Sequence, residues 1–211
     1  MITLLLIILL SYLIGSFPTG FIFVKIIKGV DIRTIGSKST GATNTSRLLG
    51  TKIAIVVLFI DILKGLIATV LISRINLGDL GLQADWVQLV AGTCAILGHV
   101  FPVWIGFKGG KGVGTGVGML LGLMPLELIM GFAFFIVVVA LTRYISLGSI
   151  LIATFVFIAL LVESLYLKYQ VPISHFAISI LFLIAILITH RGNIKRLING
   201  TENKFGEKKP T

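Results

Sequence analysis

The chain has 211 residues, of which 56% are hydrophobic and only 12% are charged, and its mean hydropathy is +1.08. This composition excludes a soluble globular domain and is typical of a polytopic membrane protein. Six of the 18 lysines and arginines lie between Lys25 and Lys52 and six more follow His190, so the net charge of +10 gathers at the edges of apolar stretches.

Seven apolar stretches follow one another along the chain, and we predict seven transmembrane helices, with six as the alternative count. About 20 helical residues cross the hydrocarbon core, and most of the stretches approach that length. The fourth is short, and Pro125 separates it from the fifth. We expect an all-α bundle that forms one integral-membrane domain over residues 1–211. The predicted spans are residues 2–24, 53–72, 86–104, 113–124, 126–141, 147–165 and 173–189.

The basic residues orient the predicted bundle. With seven spans and the amino terminus outside, 15 of the 18 basic residues face the cytoplasm, whereas Arg74 and Lys168 lie outside. This bias satisfies the positive-inside rule and places the carboxyl terminus inside. No basic residue precedes Lys25, so we expect the first span not to be a removable signal peptide. The inward set is Lys25, Lys28, Arg33, Lys38, Arg47, Lys52, Lys108, Lys111, Arg143, Arg191, Lys195, Arg196, Lys204, Lys208 and Lys209.

The sequence supports neither a nucleic-acid partner nor a bound metal. The basic residues are tied to membrane boundaries and lack interleaved aromatic residues, so we expect no nucleic-acid partner. Cys94 is the single cysteine, and no spacing of His or Cys residues predicts zinc. We therefore expect no metal and no cofactor.

The first inner loop is dense in glycine and hydroxyl residues between Gly36 and Arg47. We predict that Ser39 or Thr40 caps a short helix running to Leu49, which directs backbone N–H groups toward an anion while Arg47 supplies charge. The alternative is an interfacial turn with ordinary capping. The density of hydroxyls and glycines favours a phosphate site.

A second glycine-rich segment follows the third span. Pro102 is predicted to end or kink that span, and Lys108 and Lys111 flank a Gly-Gly pair. The spacing does not match a Walker A loop. The alternative to anion binding is a pair of snorkelling lysines at the membrane edge. We favour anion binding for the lysines and helix packing for Gly118 and Gly122.

Polar residues also follow the later spans. Arg143, taken alone, is predicted to be a topological anchor. His190 and Asn193 lie three residues apart and share a face if the helix continues, so they can contact one ligand. The alternative is an amphipathic tail on anionic lipid.

Three polar residues lie within predicted spans. Asp61 and Lys64 are three residues apart, and either a neutralised structural pair or a functional pair fits them equally. His99 lies near the inner end of the third span and is either a base or a hydrogen-bonded core histidine.

In the order and placement of these motifs the chain resembles the bacterial acyl-phosphate:glycerol-3-phosphate acyltransferases, which are integral-membrane enzymes. The resemblance runs across nearly the whole chain. Its motifs are residues 15–20 (GSFPTG), Gly36-Ser37, residues 41–44 (GATN) with Arg47, 61–65 (DILKG), Gly98-His99, Phe101-Pro102, 107–113 (FKGGKGV), Ser146-Leu147, Ser149, His190-Arg191, Asn193-Ile194, Arg196 and Gly200.

The chain departs from the family pattern before residues 41–44. Lys38 stands where a glycine is typical and Ser39 where an asparagine is typical, and Gly114 replaces the commoner alanine. Lys38 and Ser39 are therefore not carried over as site residues.

The resemblance implies transfer of a fatty acyl group from acyl phosphate to the sn-1 hydroxyl of glycerol 3-phosphate, giving lysophosphatidic acid and inorganic phosphate. It implies a multi-pass protein of the bacterial cytoplasmic membrane, with membrane lipid around it. Positioning and oxyanion stabilisation carry the reaction, and a substrate phosphate is preferred as base over His190 or His99. Its implied catalytic residues are His190, Asn193, His99 and Ser37, and its implied phosphate-binding residues are Arg47, Lys108, Lys111, Gly109, Gly110, Thr43, Asn44, Ser146 and Ser149.

Two other classes of function remain as alternatives. An organophosphate transporter would use the same cations, but it would distribute polar groups on both sides of the membrane, whereas this chain concentrates them on one side. A lipid-binding scaffold would not need hydroxyl residues in three inner loops.

Overall fold

The computed structural model describes residues 1–78, 81–167 and 170–206, and the regular elements within these ranges are helices, which confirms the predicted all-α membrane bundle. Lys168, Lys208 and Lys209, which enter the predicted orientation, lie outside the described residues. The helices are α1 (Ile2–Ser16), α2 (Thr19–Lys28), α3 (Ala42–Val70), α4 (Ala84–Val100), α5 (Val113–Leu123), α6 (Pro125–Thr142), α7 (Ile145–Leu165), α8 (Ile173–Thr189) and α9 (Arg191–Ile198).

The chain divides into two compact units, Met1–Leu123 and Met124–Thr211. In the first unit α1 packs on α4, and α3 packs on α5. In the second unit α6 packs on α7, and α7 packs on α8. The single domain over residues 1–211 stays a prediction.

Five helical segments of the described chain are long and apolar enough to cross a membrane: Ile2–Lys28, Ala42–Arg74, Ala84–Ile105, Pro125–Thr142 and Ile145–Leu165. A sixth is obtained if α8 and α9, which meet at a bend of 64°, form one span. Helix α5 has 11 residues and covers about 16 Å, roughly half of a hydrocarbon core. The count of seven spans and the orientation of the termini stay predictions.

The first predicted span consists of two helices, α1 and α2, with a break at Phe17 and Pro18. Proline lacks an N–H group, and it disfavours helical geometry in the residue before it. Phe17 accordingly has ψ of 113°. Its carbonyl oxygen accepts a hydrogen bond of 2.8 Å from Lys64 Nζ, so the break supplies an acceptor inside the first unit.

Helix α3 changes direction at Gly50, which has φ of 80° and ψ of 172°. Only glycine adopts this conformation readily. The segment from Ala42 to Leu49 therefore forms a short helix of its own, as the sequence predicted. The predicted cap is wrong, because Gly41 occupies the N-cap position and no side chain caps the helix. Ser39 instead accepts a 3.4 Å hydrogen bond from the Gly41 N–H group.

Glycines of α5 allow its backbone to approach α3. A Cβ atom at Gly118 would collide with the carbonyl oxygen of Ile62, and one at Gly122 would lie 2.9 Å from Val70 Cγ2. This confirms the packing role predicted for Gly118 and Gly122.

Candidate functional site

Asn44 organises the first inner loop. It lies in the first turn of α3 and is 1% exposed. Its Oδ1 accepts from the backbone N–H group of Ser37 at 3.2 Å. Its Nδ2 donates to the carbonyl oxygens of Ile32, Ile35 and Ser39 at 3.2, 3.0 and 3.0 Å. The polar atoms of Asn44 therefore hold residues 32–39 in place, which gives Asn44 a positioning role in this structure.

The other predicted residues of this loop lie near Asn44 and its hydrogen bonds. A Cβ atom at Gly36 would collide with Asn44 Oδ1 and would lie 3.9 Å from an Arg47 guanidinium nitrogen. Thr43 and Arg47 are exposed, and Ser37 is half-buried. The Ser37 hydroxyl makes no hydrogen bond to another described residue, so it can accept or donate to a ligand.

Lys38 carries the strain in this loop. Its φ is 57°, in the left-handed region that L-residues other than glycine enter at a cost. This is the position at which the sequence departs from glycine. The departure therefore puts a side chain on a backbone conformation that favours glycine.

The second basic segment is a tight turn held to the end of α4. Helix α4 ends at Val100, as predicted from Pro102. The N–H group of Gly109 donates to the Val100 carbonyl at 3.1 Å, and that of Gly110 donates to the His99 carbonyl at 3.0 Å. In this structure these two N–H groups, which the resemblance assigns to phosphate, donate to the protein backbone, and their role in phosphate binding stays a prediction. Lys108 is exposed and Lys111 half-buried on the resulting turn.

A buried polar network lies beneath this turn. Asp61, Lys64 and His99 are 3%, 4% and 7% exposed, and Thr19 is 2% exposed. Lys64 Nζ is 2.7 Å from Asp61 Oδ1 and 3.4 Å from His99 Nδ1. Thr19 Oγ1 donates to Asp61 Oδ1 at 3.1 Å. The pairing of Asp61 with Lys64, which the sequence left open between structure and function, is present.

The network also places His99 beside an acid. The sequence left His99 open between a base and a hydrogen-bonded core histidine, and its Nδ1 lies 3.7 Å from Asp61 Oδ1. Asp61 and His99 are 38 positions apart on different helices, so no local pattern could reveal their contact.

An apolar groove of about 400 Å³ opens in the same unit. Arg33 borders it, because its guanidinium lies 5.1 Å from the centre of the Phe21 ring and donates to the Ile105 carbonyl at 2.5 Å. Asp31 neutralises Arg33 through an ion pair of 2.7 Å, and hydrogen bonds from Arg33 hold the pKa of the Asp31 carboxyl below its usual range. The groove is lined by Phe17, Pro18, Phe21, Ile22, Trp104 and Ile105.

In the second unit, predicted site residues meet at Glu202. Its carboxylate accepts from Ser146 Oγ at 3.0 Å, from Asn193 Nδ2 at 2.7 Å and from Arg196 Nε at 2.6 Å. Burial opposes ionisation of Glu202, but these hydrogen bonds outweigh it and hold its pKa below the usual value. The motifs assigned Glu202 no role. Its acidic side chain within a basic tail was the signal available.

His190 lies at the junction of α8 and α9 and is 3% exposed. Its Nδ1 lies 3.0 Å from the carbonyl oxygen of Ile186, which can only accept. Nδ1 therefore carries a proton, and in the neutral ring Nε2 holds the lone pair. Helix α9 continues directly from His190, so the predicted shared face of His190 and Asn193 is present.

Two residues flank the α6–α7 connection. Ser149, predicted to orient phosphate, donates its hydroxyl to the Ile145 carbonyl at 2.9 Å within α7. Arg143, predicted to be only an anchor, donates from Nη2 to the Phe205 carbonyl at 2.8 Å, and its own carbonyl accepts from the Phe205 N–H group at 2.7 Å. Arg143 therefore also fixes the segment that carries Glu202.

Comparison with known proteins gives one consistent family. A family model described as glycerol-3-phosphate acyltransferase matches residues 5–200. A glycerol-3-phosphate acyltransferase of Halalkalibacterium halodurans is 44% identical over 201 residues, which cover 95% of each chain. Another, of Chlorobaculum tepidum, is 42% identical over 231 residues, which cover 99% of this chain and all of the relative.

Solved structures of PlsY, an integral membrane glycerol 3-phosphate acyltransferase, share the fold. Its glycerol 3-phosphate form has a TM-score of 0.85 at 35% identity and covers 96% of both chains. Its lysophosphatidic acid form has a TM-score of 0.82 at 35% identity, covering 96% of this chain and 95% of that one.

Proposed function

This chain belongs to the glycerol-3-phosphate acyltransferase family, and we propose that it transfers a fatty acyl group from acyl phosphate to the sn-1 hydroxyl of glycerol 3-phosphate. The products are lysophosphatidic acid and inorganic phosphate. The forms in which its structural relative was solved, with glycerol 3-phosphate and with lysophosphatidic acid, support this substrate and this product.

The observation that carries the proposal is the Gly109–Gly110 turn. Its two backbone hydrogen bonds to α4 fix the chain between Lys108 and Lys111, which makes the turn a preorganised cationic site. A phosphate group is the natural ligand of such a site, because charge-assisted hydrogen bonds to ammonium groups are strong. Arg47 and the Ser37 hydroxyl, on the loop clasped by Asn44, supply further donors for phosphate.

The apolar groove supports an acyl substrate. Its lining side chains are all apolar, and Phe17 on its wall carries the carbonyl that accepts from Lys64. We assign it to the acyl chain of the donor, which would enter from the hydrocarbon phase. A fatty chain in the groove then has its polar end close to the buried network of the first unit.

The second unit is proposed to bind glycerol phosphate through His190 and Asn193. Glu202 fixes the Asn193 amide by accepting from its Nδ2, which directs Oδ1 away from the carboxylate. Ser146 and Ser149 are proposed to orient phosphate from the same unit. In this structure both hydroxyl protons are donated within the protein, so each hydroxyl turns away from Glu202 or Ile145 when it donates to a phosphate oxygen.

The mechanism we propose needs no covalent enzyme intermediate. The sn-1 hydroxyl attacks the carbonyl carbon of acyl phosphate, the bond from that carbon to the phosphate oxygen breaks, and phosphate leaves. A substrate phosphate takes the hydroxyl proton. Because phosphate is already a competent leaving group, positioning and stabilisation of the developing oxyanion supply most of the rate.

We place the site at the cytoplasmic face of the bacterial inner membrane, with the amino terminus outside. The charge bias supports this placement, because the basic segments hold both the topological signal and the proposed phosphate ligands.

The test supplies detergent-solubilised protein with palmitoyl phosphate and glycerol 3-phosphate, and it measures phosphate release together with the acylated product. We expect equal amounts of both. Palmitoyl coenzyme A replaces the donor in the control and should give no product. Product from the coenzyme A ester alone would overturn the donor assignment, and no product from either donor would overturn the function.

A further inference from the structure

The Lys64 ammonium has three hydrogens and three acceptors around it. These are the carbonyl oxygen of Phe17 at 2.8 Å, Oδ1 of Asp61 at 2.7 Å and Nδ1 of His99 at 3.4 Å. An ammonium group donates and cannot accept. Each hydrogen of Lys64 is therefore matched to one acceptor.

This arrangement fixes the proton of His99. Because Lys64 only donates, Nδ1 of His99 must accept, and it therefore has a lone pair. The single proton of the neutral ring then lies on Nε2. A doubly protonated ring would direct an N–H group at the ammonium, which the structure disfavours. The Asp61 carboxylate, steadied by Thr19, balances the one positive charge in the network.

The Nε2 edge of His99 faces the turn that carries the two lysines. A Cβ atom at Gly110 would collide with Nε2, so the ring lies against the backbone where a side chain would otherwise be. Among the described residues, the one hydrogen bond of the His99 ring involves Nδ1, which accepts from Lys64 Nζ at 3.4 Å. The Nε2–H donor, on a residue that is 93% buried, is thus directed at the turn without an acceptor from the described chain.

We propose that His99 is a neutral hydrogen-bond donor to substrate: Lys64 and Asp61 hold the proton on Nε2, and Nε2–H donates to an oxygen of a phosphate group bound at the Lys108–Lys111 turn. The ligand class rests on the proposed function. The role differs from that of a base, because a ring protonated at Nε2 presents no lone pair on the side of the turn. His99 and His190 thus have opposite protonation patterns within one chain.

The direct test is nitrogen NMR of detergent-solubilised protein labelled with ¹⁵N-histidine. The chain has three histidines, so His175→Gln and His190→Gln assign the spectrum. We expect His99 to show a protonated Nε2 and an unprotonated Nδ1 at neutral pH. A proton on Nδ1, or on both nitrogens, would overturn the proposal. This readout does not depend on turnover, so it stands apart from failure of the acyltransferase assignment.

Ligand titrations identify the source of the phosphate group. Glycerol 3-phosphate, inorganic phosphate and an alkyl acylphosphonate, which mimics acyl phosphate without reacting, are added separately while calorimetry records binding. We expect the His99 Nε2–H signal to move with at least one of them. Binding of all three without any change in that signal would refute the contact.

Two isosteric variants separate the nitrogens. In His99→Asn, the amide oxygen takes the position of Nδ1 and still accepts from Lys64, but no donor reaches the turn. In His99→Gln, the amide N–H group reaches the position of Nε2. We expect His99→Asn to weaken binding of the responsive ligand about tenfold and His99→Gln to weaken it less than about threefold. His175→Asn is the matched control. Equal binding by both His99 variants and the control would contradict the proposal, and a poorly folded variant leaves the wild-type spectrum as the deciding measurement.

Discussion

Asn193 donates from Nδ2 to Oε1 of Glu202 at 2.7 Å, and the same oxygen accepts from Ser146 of α7. The Glu202 carboxylate thus joins α9 and α7 to the carboxyl-terminal tail. Because Asn193 and Ser146 are both predicted site residues, the positions of their side chains depend on Glu202.

Glu202→Gln should therefore lower stability and activity together. The amide keeps one acceptor but turns an –NH₂ group toward the donors of Asn193 or Arg196, so we expect a loss of about 2 kcal/mol in unfolding free energy. Thermal unfolding in detergent and the acylation rate measure the two effects. Arg191→Gln, at an exposed position of the neighbouring helix α9, serves as control. An unchanged melting temperature would show that the carboxylate is dispensable.

The same carboxylate gives a pH dependence. Its pKa is lower in the folded protein than its usual value of 4.5, so its contribution to stability is complete above that value and is lost as the pH falls through the lower folded pKa. We expect the wild-type melting temperature to fall on acidification below about pH 4.5 more steeply than that of Glu202→Gln. Parallel curves for the two proteins would assign the acid sensitivity to other groups.

Lys38→Gly should stabilise the first inner loop. Lys38 has a left-handed backbone, and glycine removes the clash between Cβ and the carbonyl oxygen, a gain of about 1 kcal/mol. Lys38→Ala removes the charge but keeps the Cβ atom, so it isolates the backbone effect. Thermal unfolding of wild type and both variants measures the effect. An equal rise in melting temperature in both variants would show that removal of the Lys38 charge, and not relief of backbone strain, is responsible.

Asn44→Ala should loosen the loop without unfolding the bundle. The substitution leaves the N–H group of Ser37 and three carbonyl oxygens without their partner, and we expect a cost of about 2 kcal/mol in local stability. Hydrogen exchange across residues 32–41 should rise, while exchange in α4 stays unchanged. Thr43→Ala, at an exposed neighbour, is the control. Slow exchange in the Asn44 variant would mean that other contacts hold the loop.

Gly110→Ala should damage the basic turn. Its Cβ atom would collide with the His99 ring, which is enclosed by the buried network and has little room to move. Overpacking of this kind costs about 1–3 kcal/mol. We expect weaker binding of glycerol 3-phosphate or of an acylphosphonate, measured by calorimetry. Gly192→Ala, whose Cβ atom would lie 3.5 Å from an Arg196 guanidinium nitrogen, is the packing control. If Gly110→Ala bound both ligands with wild-type affinity, the turn would not take part in phosphate binding.

The apolar groove predicts a selectivity change. Ile22→Trp adds volume inside it, whereas Ile26→Trp adds the same group at a position that is 78% exposed. We expect only the first variant to shift the preference toward shorter acyl phosphates, with an unchanged KM for glycerol 3-phosphate. Comparison of kcat/KM across donors of increasing chain length measures the shift. An identical chain-length profile in both variants would show that the acyl chain binds outside this groove.

The sequence predicted the features that depend on residues close together in the chain. Runs of apolar residues located the helices, and Gly118 and Gly122 located a close approach between them. The break at Phe17 and Pro18 was missed, because hydropathy continues across it. Hydropathy also carries no information about side-chain partners. The network around Lys64 joins residues as far apart as Phe17 and His99, and no spacing rule reaches that distance.

The candidate site was likewise predicted in part, because residue type is local and side-chain partners are not. Residue type predicted the basic turn and the hydroxyl-rich loop, but it did not predict that Asn44 and the N–H groups of Gly109 and Gly110 would be used inside the protein. Polar groups that suit a phosphate suit a backbone carbonyl equally well when they donate. Which of the two they meet is decided by the tertiary structure.

The turn of the backbone at Gly50 also sets a length. From Thr51 to Val70, α3 has 20 residues, which extend about 30 Å, the thickness of a hydrocarbon core. Gly50 therefore sets the start of a helix that is long enough to cross the membrane, and the loop held by Asn44 precedes this helix in the chain. A bilayer several ångströms thicker than this helix would have to thin around it, so the position of Gly50 matches α3 to membranes of ordinary thickness.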